Sequence, residues 1–578
     1  MLRTLPARAA DGRRLFTRWD LLAVVVVLGV LAFLGEGSRG ILEPLTKIET
    51  SPLSLSPAYL PEYAARTTLR MLAGLALSLL FTFTYATWAA KSPRAGRLLV
   101  PVLDVLQSVP ILGFLSATVV FFLSLAPGKV LGAEFAAVFA IFTSQAWNMA
   151  FSFYQSLRTV PAELIEAARS FRLSAWSRFW RLEVPFAMPG LVWNMMMSMS
   201  GGWFFVTAAE AISVGHTKIT LPGMGAYIAL AIEHKDLRAV GYAILTMLVV
   251  ITLYDQLLFR PLVSWSDRFR FDSEPGVLPP TSWALKMLRS SQWLRSVFIG
   301  LGKLWQWVKR PLAYLGPISA PKFRESTPAE ERRADIISYG VIIVVVVFAT
   351  YKAGALLSVG LSASEALEAC RLGLITMTRV FVLIALASVI WVPIGVWVGL
   401  RPRTAAIVQP IAQFLAAFPA NLLFPLAVVG IVRWKLNPDI WLSPLMILGT
   451  QWYILFNVIA GASSMPADLR YAARNLGLSG WLWWKRFALP AVLPFYVTGA
   501  LTASGGSWNA AIVAEIANWG DVEVKASGLG AYIADATNAG DFHKVVLGIG
   551  VMSLFVVIIN RVFWRPLGRY AERKYRLS

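Results

Sequence analysis

A chain of 578 residues that is 57% hydrophobic and only 15% charged, with a mean hydropathy of +0.62, is too apolar for a soluble globular protein. Its formal net charge of +21 would suit a nucleic-acid binder if the basic residues lined one soluble face, but they fall in short loops between apolar runs, the positive-inside pattern of a multi-span membrane protein. The lone cysteine, Cys370, excludes an internal disulfide and argues against a thiolate metal site.

Taken in chain order, the first apolar run, "LLAVVVVLGVLAFLG" from Leu21, follows basic residues and reads either as a cleaved signal segment or as a retained first helix. A counterpart near Ile336, in mid-chain, cannot be a signal and favours the retained helix. With Arg3, Arg8, Arg13 and Arg14 inside and about twelve spans, the basic loops at Lys91, Glu166, Arg401 and Tyr471 and the C-terminal "RPLGRYAERKYRLS" all fall inside. The expectation is a multi-pass protein of the inner (cytoplasmic) membrane with both termini cytoplasmic.

At Glu166 begins "EAARSFRLSAWSRFWRLEVPFAMPG", a basic and amphipathic interruption between the expected fourth and fifth helices. It recurs as "YAARNLGLSGWLWWKRFALPAVLPF" from Tyr471, an offset of 305. The same offset relates "GMGAYI" at Gly223 to "GLGAYI" at Gly528 and "FRPL" at Phe259 to "WRPL" at Trp564. Nearer the front the offset is 309, as for Arg70 with Arg379 and Pro101 with Pro410, so the second copy lacks four residues between these markers and the later ones. The chain is therefore a duplication: a first unit over 1–262, a connector over 263–335 and a second unit over 336–578, each of about six helices and related by an axis along the membrane normal. Within the connector, Leu294, Val297, Phe298, Leu301, Leu304, Trp305 and Val308 fall at helical spacing among Arg295, Lys303, Lys309 and Arg310. This pattern suits a helix lying in the membrane interface, or a linker helix packed on the protein.

Both loops share Ala-Ala-Arg, a Leu-Ser turn, an aromatic and basic run, and Pro-x-x-x-Pro (Pro185 and Pro189; Pro490 and Pro494), with the prolines setting the angle of the next membrane helix. In this they resemble the EAA loop of permease subunits in binding-protein-dependent ABC importers, whose motif runs Glu-Ala-Ala, three residues, Gly, then about nine residues to Leu-Pro. The first copy keeps Glu166, Ala167, Ala168 and Arg169 but has Arg172 at the glycine position and Val184-Pro185 at the pair. The second has Tyr471 for the glutamate but keeps Ala472, Ala473, Arg474, Gly477 and Leu489-Pro490. The resemblance runs from about Thr67 to Leu262 and from about Thr376 to Leu567, and "LPGMGAYI" and "DQLLFRPL" look most like the nitrate, sulfonate and taurine branch. It implies an all-α integral membrane fold of two tandem six-helix permease units fused in one chain. It also implies that the Glu166 and Tyr471 loops are coupling helices for two ABC ATPase subunits. Those subunits, not this chain, would bind ATP and Mg, and an extracytoplasmic solute-binding protein would deliver a small solute, such as nitrate, a sulfonate or bicarbonate. The small alanines are expected to allow the partner's close approach.

The chain has no G-x-x-x-x-G-K-[ST] phosphate loop, so an energy source must lie elsewhere. Polar residues in expected spans mark candidate pathway positions. They are Gln107 and Ser108; Asn194, Ser198 and Ser200, with Trp203, on the fifth helix; and Thr502, Ser504, Ser507 and Asn509, with Trp508, on the eleventh. Gly201, Gly202, Gly505 and Gly506 beside them serve either the solute or close helix packing. Glu210 and Glu515, near the outer ends of those helices, either gate the pathway and carry protons or form ion pairs with Arg70 and Arg379. His216, His234 and His543 have no ligand-like spacing, and no metal site is expected. A six-plus-six repeat also describes ion-coupled secondary transporters. That alternative gives no reason for two matched loops.

Overall fold

The computed structural model describes residues 18–38, 53–214, 217–269, 282–294 and 362–575, with scattered positions between 296 and 354. In the first unit, α1 is Arg18–Gly37 and α2 runs from Pro57 to Lys91. Next, α3 (Pro93–Ser108) and α4 (Ile111–Leu125) meet at a break, and α5 (Val130–Arg158) is one continuous helix of 29 residues. The short α6 (Ala162–Ser170) precedes the 26-residue α7 (Val184–Ala209), the hairpin β1–β2 (Ala211–Val214, Thr217–Thr220), α8 (Met224–Glu233) and α9 (Leu237–Phe269). After α10 (Trp283–Ser290) the second unit repeats the order. It contains α11 (Ala363–Gly399), α12 (Pro402–Ala417), α13 (Ala420–Arg433), α14 (Pro438–Leu448), α15 (Gln451–Ser463), α16 (Ala467–Asn475) and α17 (Leu489–Ala514). The hairpin β3–β4 (Ile516–Trp519, Val522–Lys525), α18 (Leu529–Ala539) and α19 (Phe542–Tyr575) complete it.

The fold is thus all-α apart from two small antiparallel hairpins that hydropathy did not signal. Among the described residues seven helices are long and apolar enough to cross a membrane, or nine if the bent pairs α12–α13 (75°) and α14–α15 (46°) each make one span. The expected twelve would be reached with α3–α4, the counterpart of α12–α13, with α7, the counterpart of α17, and with the segment from Ile336, which lies largely outside the described residues. The deletion in the second copy falls ahead of α5 and its counterpart, between Pro101 and Pro410 at an offset of 309 and Glu134 and Asp439 at an offset of 305. Where α5 is continuous, its counterpart is shorter and broken at Gly449 and Thr450.

Local sequence explains the shared irregularities. Five-residue π-helical turns occupy Phe179–Glu183, Asp255–Phe259, Trp484–Ala488 and Asn560–Trp564. Each is followed two residues later by a proline: Pro185, Pro261, Pro490 and Pro566. A proline ring collides with the carbonyl four residues back and offers no N–H. Widening the preceding turn removes the collision without ending the helix. Each unit buries its own core, around Trp203, Tyr227 and Tyr254 in the first and around Trp508 in the second. The described part of the connector packs on α1. Met287 and Leu294 are buried in a cluster with Ala23, and Asp20 accepts from Ser291 Oγ (2.7 Å) and Trp293 N (2.8 Å). Leu294, the first residue of the expected amphipathic helix, is thus buried beside α1, while Val297 is 38% exposed and Phe298 lies outside the described residues. Leu301, Leu304, Trp305 and Val308 lie outside the described residues.

Candidate functional site

Because α7 and α17 cross the bundle, the Glu166 and Tyr471 loops lie at one end and the two hairpins at the other. At the hairpin end each unit buries a polar cluster. Arg70 donates to Glu134 and to Glu210, at 2.6 Å each, and Thr67 Oγ1 donates to Glu210 at 2.7 Å. Gly225 N also donates to Glu210 at 2.7 Å, and Met224 N donates to Thr67 Oγ1 at 2.9 Å. In the second unit Arg379 donates to Glu515 (3.1 Å) and to Asp439 (2.6 Å), and Thr376 Oγ1, Gly530 N and Ala531 N all donate to Glu515. The "GMGAYI" and "GLGAYI" glycines make room for this. A Cβ on Gly223 would sit 2.4 Å from the Glu210 carboxylate and one on Gly528 2.2 Å from that of Glu515. Glu210 and Glu515 therefore cross-link α2, α7 and α8, and their equivalents, instead of facing a pathway. Thr67, Thr376, Glu134 and Asp439 were missed by sequence reasoning, although each pair is visible at the repeat offset.

At the other end, α6 and α16 are built alike. The Arg172 N–H bonds to the Arg169 carbonyl (2.8 Å) and the Leu173 N–H to that of Ala168 (3.1 Å), and Gly477 and Leu478 do the same with Arg474 and Ala473. This is a Schellman cap whose pivot takes positive φ: 64° at Gly477 and 50° at Arg172. Glu166, Ala167 and Arg169 are exposed, as are Tyr471, Ala472 and Arg474, whereas Ala168 and Ala473 are buried against their own chain. These two alanines are thus not surfaces for a partner, which corrects the expectation. The exposed apolar side chains are instead Phe171 and Leu476 (79% and 75%) and Trp176 and Trp481 (70% and 73%), two pairs at the repeat offset that sequence reasoning passed over. The first loop is also tied to α2: Glu183 meets Lys91 (2.8 Å) and Arg178 (3.0 Å), where the second unit has Ala488 and Leu400.

Between the units lies a cavity of about 210 Å³. Gln107, Asn148 and Ser200 line it from the first unit, and Thr450, Thr502 and Asn509 from the second. Gln107 donates to Asn148 at 3.1 Å, and the side chain of Ser108 lies outside the described residues. Gly201 and Gly505 line the cavity, with open space beside Gly505 and the Tyr453 hydroxyl 3.8 Å from where a Cβ on Gly201 would sit, while a Cβ on Gly202 would strike Gln145 at 2.6 Å, so Gly202 serves packing. Several expected pathway residues are displaced from it. Asn194 donates to Ser152 (3.0 Å), Ser507 is buried against Thr450 (3.0 Å), Ser198 and Ser504 are buried, and Trp203 and Trp508 fill the cores of their units. Helix geometry separates them: only one face of α7 and α17 turns toward the other unit. A wider recess of about 720 Å³ opens toward the hairpins, lined by Thr207, Asn421 and Asp521 among others. Between the two cavities the breaks in each unit's bent pair dock on the other unit. Asn509 Oδ1 accepts from Ile111 N (2.7 Å), and Asn421 Nδ2 donates to Thr207 Oγ1 (2.8 Å). Among the described residues no group of three His, Cys, Asp or Glu could hold a metal ion, and His216 lies outside them.

Comparison with known proteins bears on this arrangement. The family described as binding-protein-dependent transport system inner membrane component matches residues 82–260 and again 391–564. The bicarbonate transport system permease protein of Synechococcus elongatus is 31% identical over 192 residues, 33% of this chain and 65% of that protein. The nitrate import permease protein of Leptolyngbya laminosa is 28% identical over 185 residues, 32% of this chain and 63% of that protein. The glycine betaine/proline betaine transport system permease protein of Escherichia coli is 29% identical over 166 residues, covering 28% and 43%. The matched segment thus spans somewhat under two thirds of the bicarbonate and nitrate relatives.

Proposed function

Because this chain belongs to the family of binding-protein-dependent transport system inner membrane components, with the family segment present twice, we propose that it forms the whole membrane-spanning pathway of an ATP-driven importer. The solute is a small anion of the bicarbonate or nitrate kind, handed over by an extracytoplasmic binding protein. Two ATPase subunits, holding ATP and Mg, dock on the α6 and α16 loops at the cytoplasmic end, where both termini also lie. The observation that carries this reading is the matched pair of exposed loops, each offering an aromatic or aliphatic side chain and a tryptophan beside basic residues at the same end of the molecule. Apolar anchors rimmed by charge are what a protein partner needs. Closure of the ATPases on ATP would pass through the loops as a rigid-body shift of the two units. Against ion coupling stands the fact that Glu210 and Glu515, the buried acids such a carrier would use, already satisfy arginines.

The test is purification of the tagged chain from its native membrane, with ATPase activity measured on what accompanies it. Phe171→Glu together with Leu476→Glu, both at exposed positions, is expected to remove the ATPase while the chain still folds. A chain that purifies alone and drives uptake from an ion gradient would overturn the proposal.

A further inference from the structure

The cavity between the units comes from a duplication, yet its two walls differ. Gln107, Ser144, Asn148 and Ser200 line it from the first unit. The repeat offsets, 309 for Gln107 and 305 for the rest, place Ala416, Gly449, Tyr453 and Gly505 at the matching positions, and these line the same cavity. At three of the four places the second unit thus has no side-chain hydrogen-bonding group, and at the fourth it has a phenol. The first unit's groups sort into donors and acceptors. Gln107 Nε2 donates to Asn148 Oδ1 at 3.1 Å. Each carboxamide carries two N–H donors, so the pair keeps one on Gln107 and two on Asn148. Ser144 stands one helical turn before Asn148 on α5 and shares its face. Its hydroxyl proton goes to the Ile141 carbonyl at 2.6 Å, which leaves its oxygen lone pairs to accept.

We propose that Gln107, Ser144 and Asn148 form a one-sided solute station on the first unit that recognises an oxyanion carrying one proton. The carboxamide N–H groups take the solute's bare oxygens, and the Ser144 oxygen accepts its O–H. Bicarbonate has both kinds of group, whereas nitrate has acceptors alone and leaves Ser144 without a partner in the solute. A site built to bond a hydroxyl discriminates against the analogue that lacks it more sharply than an apolar pocket can discriminate by size. The inference rests on the importer reading above and deepens it by naming the residues that tell two small anions apart.

The experiment uses the complete importer in proteoliposomes, with the same binding protein in every sample, and reads the ATP hydrolysis stimulated by bicarbonate or by nitrate. Ser144→Ala is expected to raise the half-saturating bicarbonate concentration about tenfold, the loss of one hydrogen bond to a charged solute, while that for nitrate stays within about twofold. Asn148→Leu should raise both about tenfold. Gln107→Met, at a position exposed to the cavity, should do the same and serves as the second variant if Asn148→Leu does not assemble, assembly being read from co-purification of the ATPase. Equal losses for both anions in Ser144→Ala, no loss in any variant, or a wild-type importer stimulated by nitrate alone overturns the station and leaves the importer reading in place. A wild-type importer stimulated by neither anion overturns the anion reading, and the station with it.

Discussion

At the scale of single residues, the two copies act as controls for one another. Arg172 and Gly477 are the same pivot of the same cap, at φ of 50° and 64°. An L side chain in that region costs roughly 1–2 kcal/mol. Arg172→Gly is therefore expected to stabilise the protein by about 1 kcal/mol, and Gly477→Arg to destabilise it by a similar amount, measured as opposite shifts of Tm in detergent. The ion clusters differ in the same way. Arg70, Glu134 and Glu210 are all buried, whereas Asp439 is 48% exposed. Removing one partner of a buried pair strands a charge, so Glu210→Ala should cost about 3–5 kcal/mol. Asp439→Ala, at a solvated site, should cost about 1 kcal/mol or less. Equal losses in denaturant titrations would mean that burial does not set the difference.

Individual elements show which features could be read from the sequence and which could not. The amphipathic loops, the duplicated register and the glycine motifs were legible because each leaves a pattern in residue type at fixed spacing. The break in α14–α15 was not legible, since helix continuity depends on packing that neither hydropathy nor propensity records. The inward turn of Ala168 and Ala473 was hidden for a related reason: in a short helix an alanine suits either face. Expecting partner contact there placed the surface one face away from Phe171 and Leu476. The anchoring of the first loop by Lys91, with its ammonium also 4.9 Å from the Phe179 ring, needed the end of α2 to be brought against Glu183. Glu183→Ala should free that loop, seen as faster amide hydrogen exchange over 162–183, while exchange over 467–488, where the second unit has Ala488, stays as it was. Uniform acceleration in both loops would show that the anchor is not local.

For the whole molecule, the contacts that join the two units decide how they move. At the hairpin end the β3–β4 turn reaches across to the first unit. Gly520 N donates to the Ile232 carbonyl at 3.0 Å, and Lys235 Nζ meets Asp521 at 2.9 Å. Gly520 has φ of 60°, where an L side chain is strained, and a Cβ there would lie 1.9 Å from the Lys235 side chain and displace it. The Lys235 ammonium holds the Asp521 carboxyl below its usual range. A depressed carboxylate contributes above its unfolded value, about 3.9, and loses that contribution as pH falls through the lower folded value. The pair is thus intact at neutral pH and yields only to strong acid. It is nonetheless solvent-exposed, so it holds the ends weakly and lets them part. If import requires the hairpin end to open, then tying this contact should stop transport. Lys235→Cys with Asp521→Cys, in a background where Cys370 is replaced by alanine and joined by a short thiol cross-linker, is expected to abolish ATP-driven uptake, and a reducible linker should restore it on cleavage. Uptake that continues at full rate through the cross-link would mean that the units exchange solute without separating here, and that the motion lies instead between the bent pairs at Ile111 and Asn421.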